Sequence, residues 1–426
     1  MNTKPASNTA KPGLLSVDEA LAQLLAGATP VRDVEQLPTL QASGRVLAED
    51  QRSVMNVPPM DNSAMDGYAV RAAEAQAGAQ LQVSQKIMAG AVGQPLQPGT
   101  AARIFTGAPI PPGADAIVMQ EHTRALEGGA MQVERAPREG EWVRKIACDI
   151  AAGDVILNAG RCLQPQDTGL AASVGIATLP VYRRVRLGLF FTGDELVMPG
   201  EPLPPGRIYN SNRFTLNGLA KAFDCEVHDY GIVPDSLEAT RAVLRRAATE
   251  CDVIVTSGGV SVGDADFVKP AVEAEGELLM WRIAMKPGRP LAFGRVFRAS
   301  SGALSGAADR NANSAAFIGL PGNPVSSFVT FLIFVRPFLL RTRGMTDVTP
   351  QAMLARADFD WLEADPRREF LRVKWNADGG LDLYSSQDSA VMTSTSWADG
   401  LLDNPAGCTI RRGDLVRFLP YAALYR

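Results

Sequence analysis

The stretch TSGGVSVGDAD at residues 256–266 directly follows the apolar run Val253-Ile254-Val255. A β-branched run of this kind predicts a buried strand. Glycines after such a strand allow backbone angles and close approaches at which successive N–H groups converge on an anion. Asp264 and Asp266 add two carboxylates, which would repel a phosphate unless a cation such as Mg²⁺ lay between them. The stretch therefore predicts a phosphate-binding turn, although an ordinary strand-to-helix connection is the better interpretation of one such turn alone.

Two further strand ends carry similar chemistry. The apolar segment Leu187–Phe191 leads into Thr192-Gly193-Asp194-Glu195, and Phe317–Leu320 leads into Pro321-Gly322-Asn323-Pro324. In the latter, Asn323 is a candidate helix N-cap and the proline after it a candidate first helical residue. Open α/β sheets bind ligands at the carboxyl ends of their strands, so three such ends predict one site for an anionic ligand.

The segments between these turns alternate between helix and strand. We predict helices at 212–223 and 236–250 and a short strand at 225–230. This alternation predicts a central three-layer α/β domain with a mostly parallel sheet. The most apolar segment, 325–340, is too short and too polar to span a bilayer, and we expect a core helix that is kinked or ended near Pro337.

The remainder of the chain is rich in short strands. Gly/Pro turns between residues 54 and 145 predict a β-rich inserted domain, and short strands after residue 341 predict a C-terminal β-barrel domain at 342–426. Residues 299–315 are small and polar and predict a surface loop without function. Near the start of the chain, Ser16 and Glu19 form a capping-box pattern before a helix over 17–25.

Composition limits the classes of function. The length of 426 residues suggests about three domains, and 46% hydrophobic with 21% charged residues is ordinary for a globular protein. The net charge of −4 gives no reason to expect nucleic acid or an anionic membrane as partner. Five scattered cysteines and two histidines do not match the ligand spacing of a zinc site. The first thirteen residues lack the apolar segment of a signal peptide, so we expect a cytoplasmic protein.

Seven motifs follow one another in a single order along the chain. They are PPMDNSAMDGYAV (58–70), RIFTGAPIPPGADAIVMQE (103–121), TGDEL (192–196), GRIYNSNR (206–213), TSGGVSVGDAD (256–266), MKPGRP (285–290) and GLPGNPVS (319–326). Together they closely resemble the motifs of the molybdopterin molybdenumtransferase family. These are the MoeA-type enzymes of molybdenum cofactor synthesis, related to the gephyrin E domain.

The resemblance implies a four-domain homodimer. Its domains would be a discontinuous N-terminal domain (14–53 plus 146–181), the β-rich insertion (54–145), the α/β domain (182–341) and the barrel (342–426). It also implies a reaction in which molybdate and adenylylated molybdopterin are the substrates, molybdenum is inserted at the dithiolene, AMP is released and Mg²⁺ assists. Other enzymes of cofactor synthesis are further candidate partners.

The same resemblance marks the expected site residues. The catalytic candidates are Asp66, Thr106, Asp149, Asp194, Glu195, Asp235, Asp266 and Lys286, and the Mg²⁺ ligands are expected among Asp266, Glu195 and Asp194. The substrate-binding candidates are Arg144, Thr192, Gly193, Ser257, Gly258, Gly259, Ser261, Asp264, Arg282, Pro321, Gly322 and Pro324. Lys286 is the first choice for the counter-charge that two anionic substrates require.

Several of these residues also have a purely structural interpretation. Asp235 begins the pattern Asp-Ser-Leu-Glu, so from the residues alone a helix N-cap is the stronger prediction. Asp266 could likewise cap the next helix, and Asp66 and Thr106 would otherwise be turn residues. For Pro321 and Pro324, shaping the loop is the stronger interpretation, because proline has neither a donor nor a titratable group.

The chain departs from the family pattern at three positions. Phe191 stands where a serine is common, Asn210 where an acid is common and Cys148 where a glutamate is common. Each puts one contact in doubt. Two alternative functions stay open: a gephyrin-like scaffold without turnover, and a molybdopterin adenylyltransferase acting one step earlier. The acids at the strand ends argue against the first, and the domains that flank the α/β unit argue against the second.

Overall fold

The computed structural model describes residues 14–259, 267–298 and 313–425. Within these ranges the chain forms two compact units. The first contains the residues up to Glu35, Gly44–Val46 and the residues from Val181 onward, and the second contains Gln36–Ser43 and Leu47–Pro180. The four domain boundaries that the sequence suggested stay a prediction.

The helices are α1 (Val17–Ala26), α2 (Pro165–Ser173), α3 (Ser211–Ala222), α4 (Leu237–Glu250), α5 (Val268–Glu275), α6 (Pro324–Thr330), α7 (Arg336–Thr342), α8 (Thr393–Trp397) and α9 (Tyr421–Leu424). The first strands are β1 (Leu14–Leu15), β2 (Val34–Pro38), β3 (Gln51–Arg52), β4 (Asn62–Ser63), β5 (Gly67–Val70), β6 (Gln80–Ile87), β7 (Thr100–Ile104), β8 (Ala116–Met119), β9 (Thr123–Ala125), β10 (Ala130–Val133), β11 (Val143–Arg144), β12 (Val155–Leu157) and β13 (Thr178–Tyr182). The later strands are β14 (Arg186–Thr192), β15 (Leu196–Val197), β16 (Ile208–Tyr209), β17 (Glu226–Val233), β18 (Val253–Ser257), β19 (Gly276–Ile283), β20 (Met285–Lys286), β21 (Pro290–Phe297), β22 (Ser314–Leu320), β23 (Met353–Arg356), β24 (Arg368–Trp375), β25 (Leu381–Leu383), β26 (Gly400–Asn404) and β27 (Leu415–Pro420).

A seven-stranded sheet organises the first unit, in the order β1-β19-β21-β22-β18-β14-β17. The pairs β1–β19, β22–β18, β18–β14 and β14–β17 are parallel, whereas β19–β21 and β21–β22 are antiparallel. The predicted mostly parallel sheet is therefore confirmed. Because β14, β18 and β22 run side by side in one direction, their carboxyl ends lie at one edge of the sheet.

Alternate residues of the central strands enter two separate hydrophobic cores. Leu189 and Phe191 of β14 pack on the side of α3, α6 and α7. Phe190, between them, packs on the other side with Leu244 of α4 and Ala271 of α5. A sheet with apolar side chains on both faces requires helices on both, which gives the predicted three-layer arrangement.

One helical segment, Pro324–Thr342, is long and apolar enough to cross a membrane by length and composition, but 94% of it is buried inside the protein. It is a core helix, as predicted. Of the two expected outcomes at Pro337, the helix does not end there, because α7 continues to Thr342, but its regular α-helical pattern is interrupted just before the proline by a π-helical turn at Phe331–Val335. In that turn the N–H of Arg336 donates to the carbonyl of Phe331, five residues back, and the wider turn accommodates a proline ring.

The C-terminal strands form a closed sheet. The strand order is β20-β24-β26-β27-β23, and β25 also pairs with β24. An isolated bridge from Ala357, directly after β23, to Leu381 in β25 closes the sheet. Leu371, Val373 and Phe418 fill the interior. The predicted barrel is confirmed, and an isolated bridge joins Trp361 to Ile410.

The second unit is β-rich. Its largest sheet has six strands in the order β8-β5-β7-β6-β10-β9, with a core that includes Val70, Leu81 and Val118. The same unit also contains the two-stranded sheets β11–β4 and β12–β3 and helix α2. The β-rich character that the Gly/Pro turns predicted is confirmed.

Candidate functional site

The turn after β14 is built around Gly193. This glycine has φ of +141°, and a Cβ at its position would lie 2.8 Å from both carboxylate oxygens of Glu195. The backbone conformation and the close approach both favour glycine here. The Glu195 carboxylate therefore lies close to the Gly193 backbone, and the backbone carbonyl of Glu195 accepts a hydrogen bond from Ile208 N at 2.8 Å.

The turn after β18 lies directly beside it. Gly258 has φ of +97°, and a Cβ there would lie 2.8 Å from the carbonyl oxygen of Thr192. Its N–H donates to Leu320 O, at the end of β22, over 3.2 Å. Gly259 follows with φ of +67°. The three strand ends that the sequence singled out therefore meet through backbone contacts.

Side chains reinforce this junction from α3 and α6. The amide Nδ2 of Asn212 donates to Ser257 Oγ at 2.8 Å and to Gly322 O at 2.7 Å. The Ser257 hydroxyl, which is buried, donates to Pro321 O at 3.0 Å. Asn323 occupies the N-cap of α6 as predicted, but its side chain makes no capping bond and instead donates to Ser389 Oγ at 3.0 Å.

Asp235 does not cap the next helix. The N-cap of α4 is Ser236, whose hydroxyl accepts a hydrogen bond from Ala239 N, so the capping prediction for Asp235 is wrong. The Asp235 carboxylate is engaged elsewhere, because its Oδ2 accepts a hydrogen bond from Asp194 N at 3.0 Å. This bond brings two candidate acids from separate loops together.

These strand ends form the floor of a cleft of about 1030 Å³. Its lining comprises Thr192, Gly193, Glu195, Leu196, Ile208, Tyr209, Asn210, Ser211, Asn212, Asp235, Ser257, Gly258, Gly259, Gly288, Arg289, Pro290, Pro321, Gly322, Asn323, Pro324, Ser326, Arg367, Ser389, Ala390 and Met392. Ten of the site residues predicted from the sequence are among them. Asn210 lies there as the N-cap of α3, whereas Phe191 points into the hydrophobic core and takes no part in the cleft.

The predicted cationic residues Lys286 and Arg282 do not line this cleft. Lys286 Nζ lies 3.0 Å from the buried Glu369 and 3.4 Å from Asp365, so its charge is already compensated. Arg367 makes two bonds to Asp365, at 2.8 and 2.7 Å, and these hold the pKa of that carboxyl well below its usual range. Arg282 lies near the end of β19 with an exposed side chain that does not line the cleft.

The remaining described candidates lie in the second unit. Asp66 Oδ1 accepts hydrogen bonds from both N and Oγ1 of Thr106, each at 2.8 Å. These bonds lower the pKa of Asp66, so the carboxylate stays charged well into the acid range. Arg144, in β11, and Asp149 are both exposed.

Ser261, Asp264 and Asp266 lie outside the described residues, and so does the predicted loop at 299–312. The last two residues of that prediction, 314–315, belong to β22 instead. Helix α5 has Phe267 at its N-cap. Across the ranges that the structure describes, no group of three or more histidine, cysteine or acidic side chains is arranged to hold a metal ion.

Asn212, Arg289, Arg367 and Ser389 are among the cleft residues that were not predicted from the sequence. Asn212 and Arg289 stand inside quoted motifs, where neighbouring residues drew the attention. Arg367 and Ser389 come from the C-terminal barrel, more than forty positions beyond the nearest motif, so only the tertiary fold brings them to the strand ends.

In an α/β protein with a mostly parallel sheet, the carboxyl ends of the strands are the usual place of the ligand-binding cleft, and the glycine turns, carboxylates and hydroxyl groups lie there in this chain. Three family models match the chain: "MoeA N-terminal region (domain I and II)" over residues 15–175, "Probable molybdopterin binding domain" over 188–341 and "MoeA C-terminal region (domain IV)" over 355–421. The chain belongs to the molybdopterin molybdenumtransferase family.

Individual relatives match most of the chain. The chain is 40% identical to the molybdopterin molybdenumtransferase of Haemophilus influenzae, over 87% of this chain and 89% of that protein. It is 37% identical to that of a Nostoc species, over 79% and 76%. The crystal structure of a molybdopterin biosynthesis moeA protein from Pyrococcus horikoshii is similar with a TM-score of 0.81 and 30% identity, covering 96% of this chain and all of that one.

Proposed function

We propose that this chain is the transferase that inserts molybdenum into molybdopterin, taking the metal from molybdate and using adenylylated molybdopterin as its second substrate, with release of AMP. The observation that carries the proposal is the convergence of β14, β18 and β22 on one cleft of about 1030 Å³. A cleft of this size suits a nucleotide-sized ligand. The backbone of Gly259 lies at its floor with its N–H as a candidate donor, whereas the N–H of Gly258 is used by Leu320 O.

The chemistry requires both counter-charge and a hard cation. Two unit negative charges 4 Å apart repel by about 4 kcal/mol at an effective dielectric constant of 20. Glu195 and Asp235 line the cleft with carboxylate oxygens, the ligand type that Mg²⁺ prefers. One Asp235 oxygen is used by Asp194 N, and no described residue engages the other. These oxygens are of the type that Mg²⁺ binds, and we propose that Asp266, Glu195 and Asp194 supply its ligands.

When bound, Mg²⁺ would stabilise the negative charge that develops on the phosphate of the leaving AMP. The residues of this chain bind and orient the substrate. Asn212 and Ser257 fix the two loops against each other, so the floor is organised before the ligand arrives. We further propose a homodimer that works in the cytoplasm alongside other enzymes of cofactor synthesis.

The decisive assay is AMP release from adenylylated molybdopterin by the pure protein, with and without molybdate and over a range of Mg²⁺ concentrations. We expect release that requires both ions. Asp266→Asn and Glu195→Gln should abolish it at limiting Mg²⁺, because a neutral amide oxygen binds Mg²⁺ less well than a carboxylate. Near-normal turnover of Asp266→Asn at limiting Mg²⁺ would contradict the metal assignment.

The same assay separates the alternatives. Tight substrate binding without AMP release under any condition would favour a gephyrin-like scaffold. Formation of adenylylated molybdopterin from ATP and free molybdopterin would instead favour an adenylyltransferase. AMP release at an unchanged rate without molybdate would contradict coupling to metal insertion.

A further inference from the structure

A second cavity, of about 390 Å³, lies at the edge of the central sheet opposite to the cleft. Its lining includes Asp252 and Val253, at the amino end of β18, and Ser314, at the amino end of β22. The cleft lies at the carboxyl ends of the same strands, four residue steps or about 13 Å further along β18. The described residues that line the two cavities are entirely different, so this cavity is separate from the proposed substrate site.

The lining of this cavity is rich in arginine. Among the described residues that line it, the charged ones are four arginines and one acid: Arg32, Arg183, Arg295, Arg298 and Asp252. Arg183 is neutralised, because it donates to both oxygens of Asp252 at 2.7 and 2.9 Å and to Asp33 at 2.6 Å. The other three arginines exceed the remaining negative charge, so the lining is net positive.

Arg295 is a half-buried cation in β21. Its guanidinium group donates to Gly27 O at 2.7 Å and to the hydroxyl of Ser314 at 3.4 Å, and both acceptors are neutral. Burial lowers the pKa of Arg295, and the charge of Glu277 on the paired strand β19 offsets this effect only in part. An anion in the cavity would therefore stabilise the charged form of Arg295.

Two more basic groups surround the same space. Arg298 donates from Nε to Ala248 O at 2.9 Å and from Nη2 to Cys251 O at 3.3 Å, which fixes its side chain at the end of α4. Arg32 and Thr29 also line the cavity but are exposed, so they lie at its opening. The cavity thus presents positive charge both inside and at its opening.

We infer that this cavity binds a small tetrahedral oxyanion, of the type of orthophosphate or molybdate, at a site distinct from the proposed substrate cleft. A guanidinium group offers a planar fork of donors that matches two oxygens of such an ion. Arg295 holds the ion from inside the cavity and Arg32 holds it from the opening. The inference goes beyond the proposed function, in which no residue of this cavity has a part.

The test is equilibrium binding of orthophosphate and of molybdate, each measured alone by calorimetry with the full-length chain. Thr29→Glu places a carboxylate at the opening of the cavity, whereas Thr29→Gln adds the same bulk without the charge. Arg295→Gln removes the inner cation. Arg71→Gln is its matched control, because Arg71 is also half-buried and donates to two backbone carbonyls, those of Gly113 and Leu96, but lies beside Glu74.

We expect Thr29→Glu and Arg295→Gln each to weaken the binding of the oxyanion about tenfold, and Thr29→Gln and Arg71→Gln to bind it as the parent chain does. Because an ion that binds only the folded chain raises its melting temperature, the ion should stabilise the parent chain more than Thr29→Glu. Tighter binding of orthophosphate or of molybdate identifies which of the two ions the site prefers.

Binding in the cleft cannot produce this pattern, because Thr29 lies outside the cleft lining. Equal affinities of Thr29→Glu and Thr29→Gln for both ions, an equal loss in Arg71→Gln, or no binding of either ion by the parent chain would overturn the inference. If Arg295→Gln does not fold, the two Thr29 variants decide alone, since each changes a single exposed side chain.

Discussion

Asp66 and Thr106 are joined by two hydrogen bonds to one carboxylate oxygen: Oδ1 of Asp66 accepts from the backbone N and from the hydroxyl of Thr106, each at 2.8 Å. The two residues are forty positions apart and connect the loops next to β5 and β7. Both bonds stabilise the charged form of the carboxylate, which lowers its pKa. A half-buried acid is thereby kept ionised and oriented.

The first prediction follows from that pair. Thr106→Val removes the hydroxyl donor but keeps the backbone donor, so the pKa of Asp66 should rise towards its ordinary value. Thr106→Ser should leave it low. The measurement is an NMR titration of the side-chain carboxyl carbon.

The direction of the pH dependence is fixed by the sign of the shift. Because the folded-state pKa is depressed, this interaction contributes stability above the unfolded pKa of about 4, and the contribution is lost as the pH falls through the folded value. The loss on acidification should be smaller in Thr106→Val than in the parent chain. An identical Asp66 titration in both proteins would contradict the role of the hydroxyl.

A second prediction contrasts two glycines. Gly258→Ala forces a side chain into φ of +97° and places its Cβ 2.8 Å from Thr192 O, so we expect a loss of at least about 1–2 kcal/mol of stability. Gly218, within α3, has no atom within 4 Å of its would-be Cβ, and Gly218→Ala should gain about 0.5–1 kcal/mol. Equilibrium urea unfolding measures both. A neutral Gly258→Ala would show that the strand ends can separate freely.

A third prediction tests the bridge that Asn212 makes. Asn212→Leu removes the bonds to Ser257 Oγ and Gly322 O and should cost about 1–3 kcal/mol. It should also weaken AMP binding, because the two loops are no longer fixed to each other. Asn217→Leu, in the same helix, is the matched control, since no hydrogen bond of its side chain is present among the described contacts. Equal losses in both variants would point to helix propensity rather than to the bridge.

Features that depend on neighbouring residues could be predicted from the sequence. The capping box of α1 is confirmed in full, because Ser16 and Glu19 hold each other's backbone N–H groups within one turn. The three strand ends were likewise evident, since continuous apolar runs followed by glycine carry their own signal.

Features that depend on tertiary partners could not be predicted from the sequence. Asp235 matches a capping pattern, but the N–H of Asp194, from a separate loop, takes its carboxylate instead. Lys286 was the first choice for the counter-charge to the substrates. No residue near it in the sequence indicates that Glu369 and Asp365 neutralise its positive charge. Arg367 reaches the cleft only because the barrel places it there.

The last prediction concerns the proposed dimer. Asp66 belongs to the second unit and Glu195 to the first, and the resemblance to the family implies that one active site combines residues of two chains. In an isologous dimer, Asp66→Asn and Glu195→Gln homodimers should both be inactive, whereas a mixed dimer has one site with both substitutions and one with neither. Random reassociation of equal amounts makes half of the dimers mixed, so about one quarter of the parent activity should return after co-refolding. AMP release measures it, with each variant refolded alone as control. Mixed dimers that are seen by mass spectrometry but have no activity above these controls would mean that Asp66 acts within its own chain or only supports the fold.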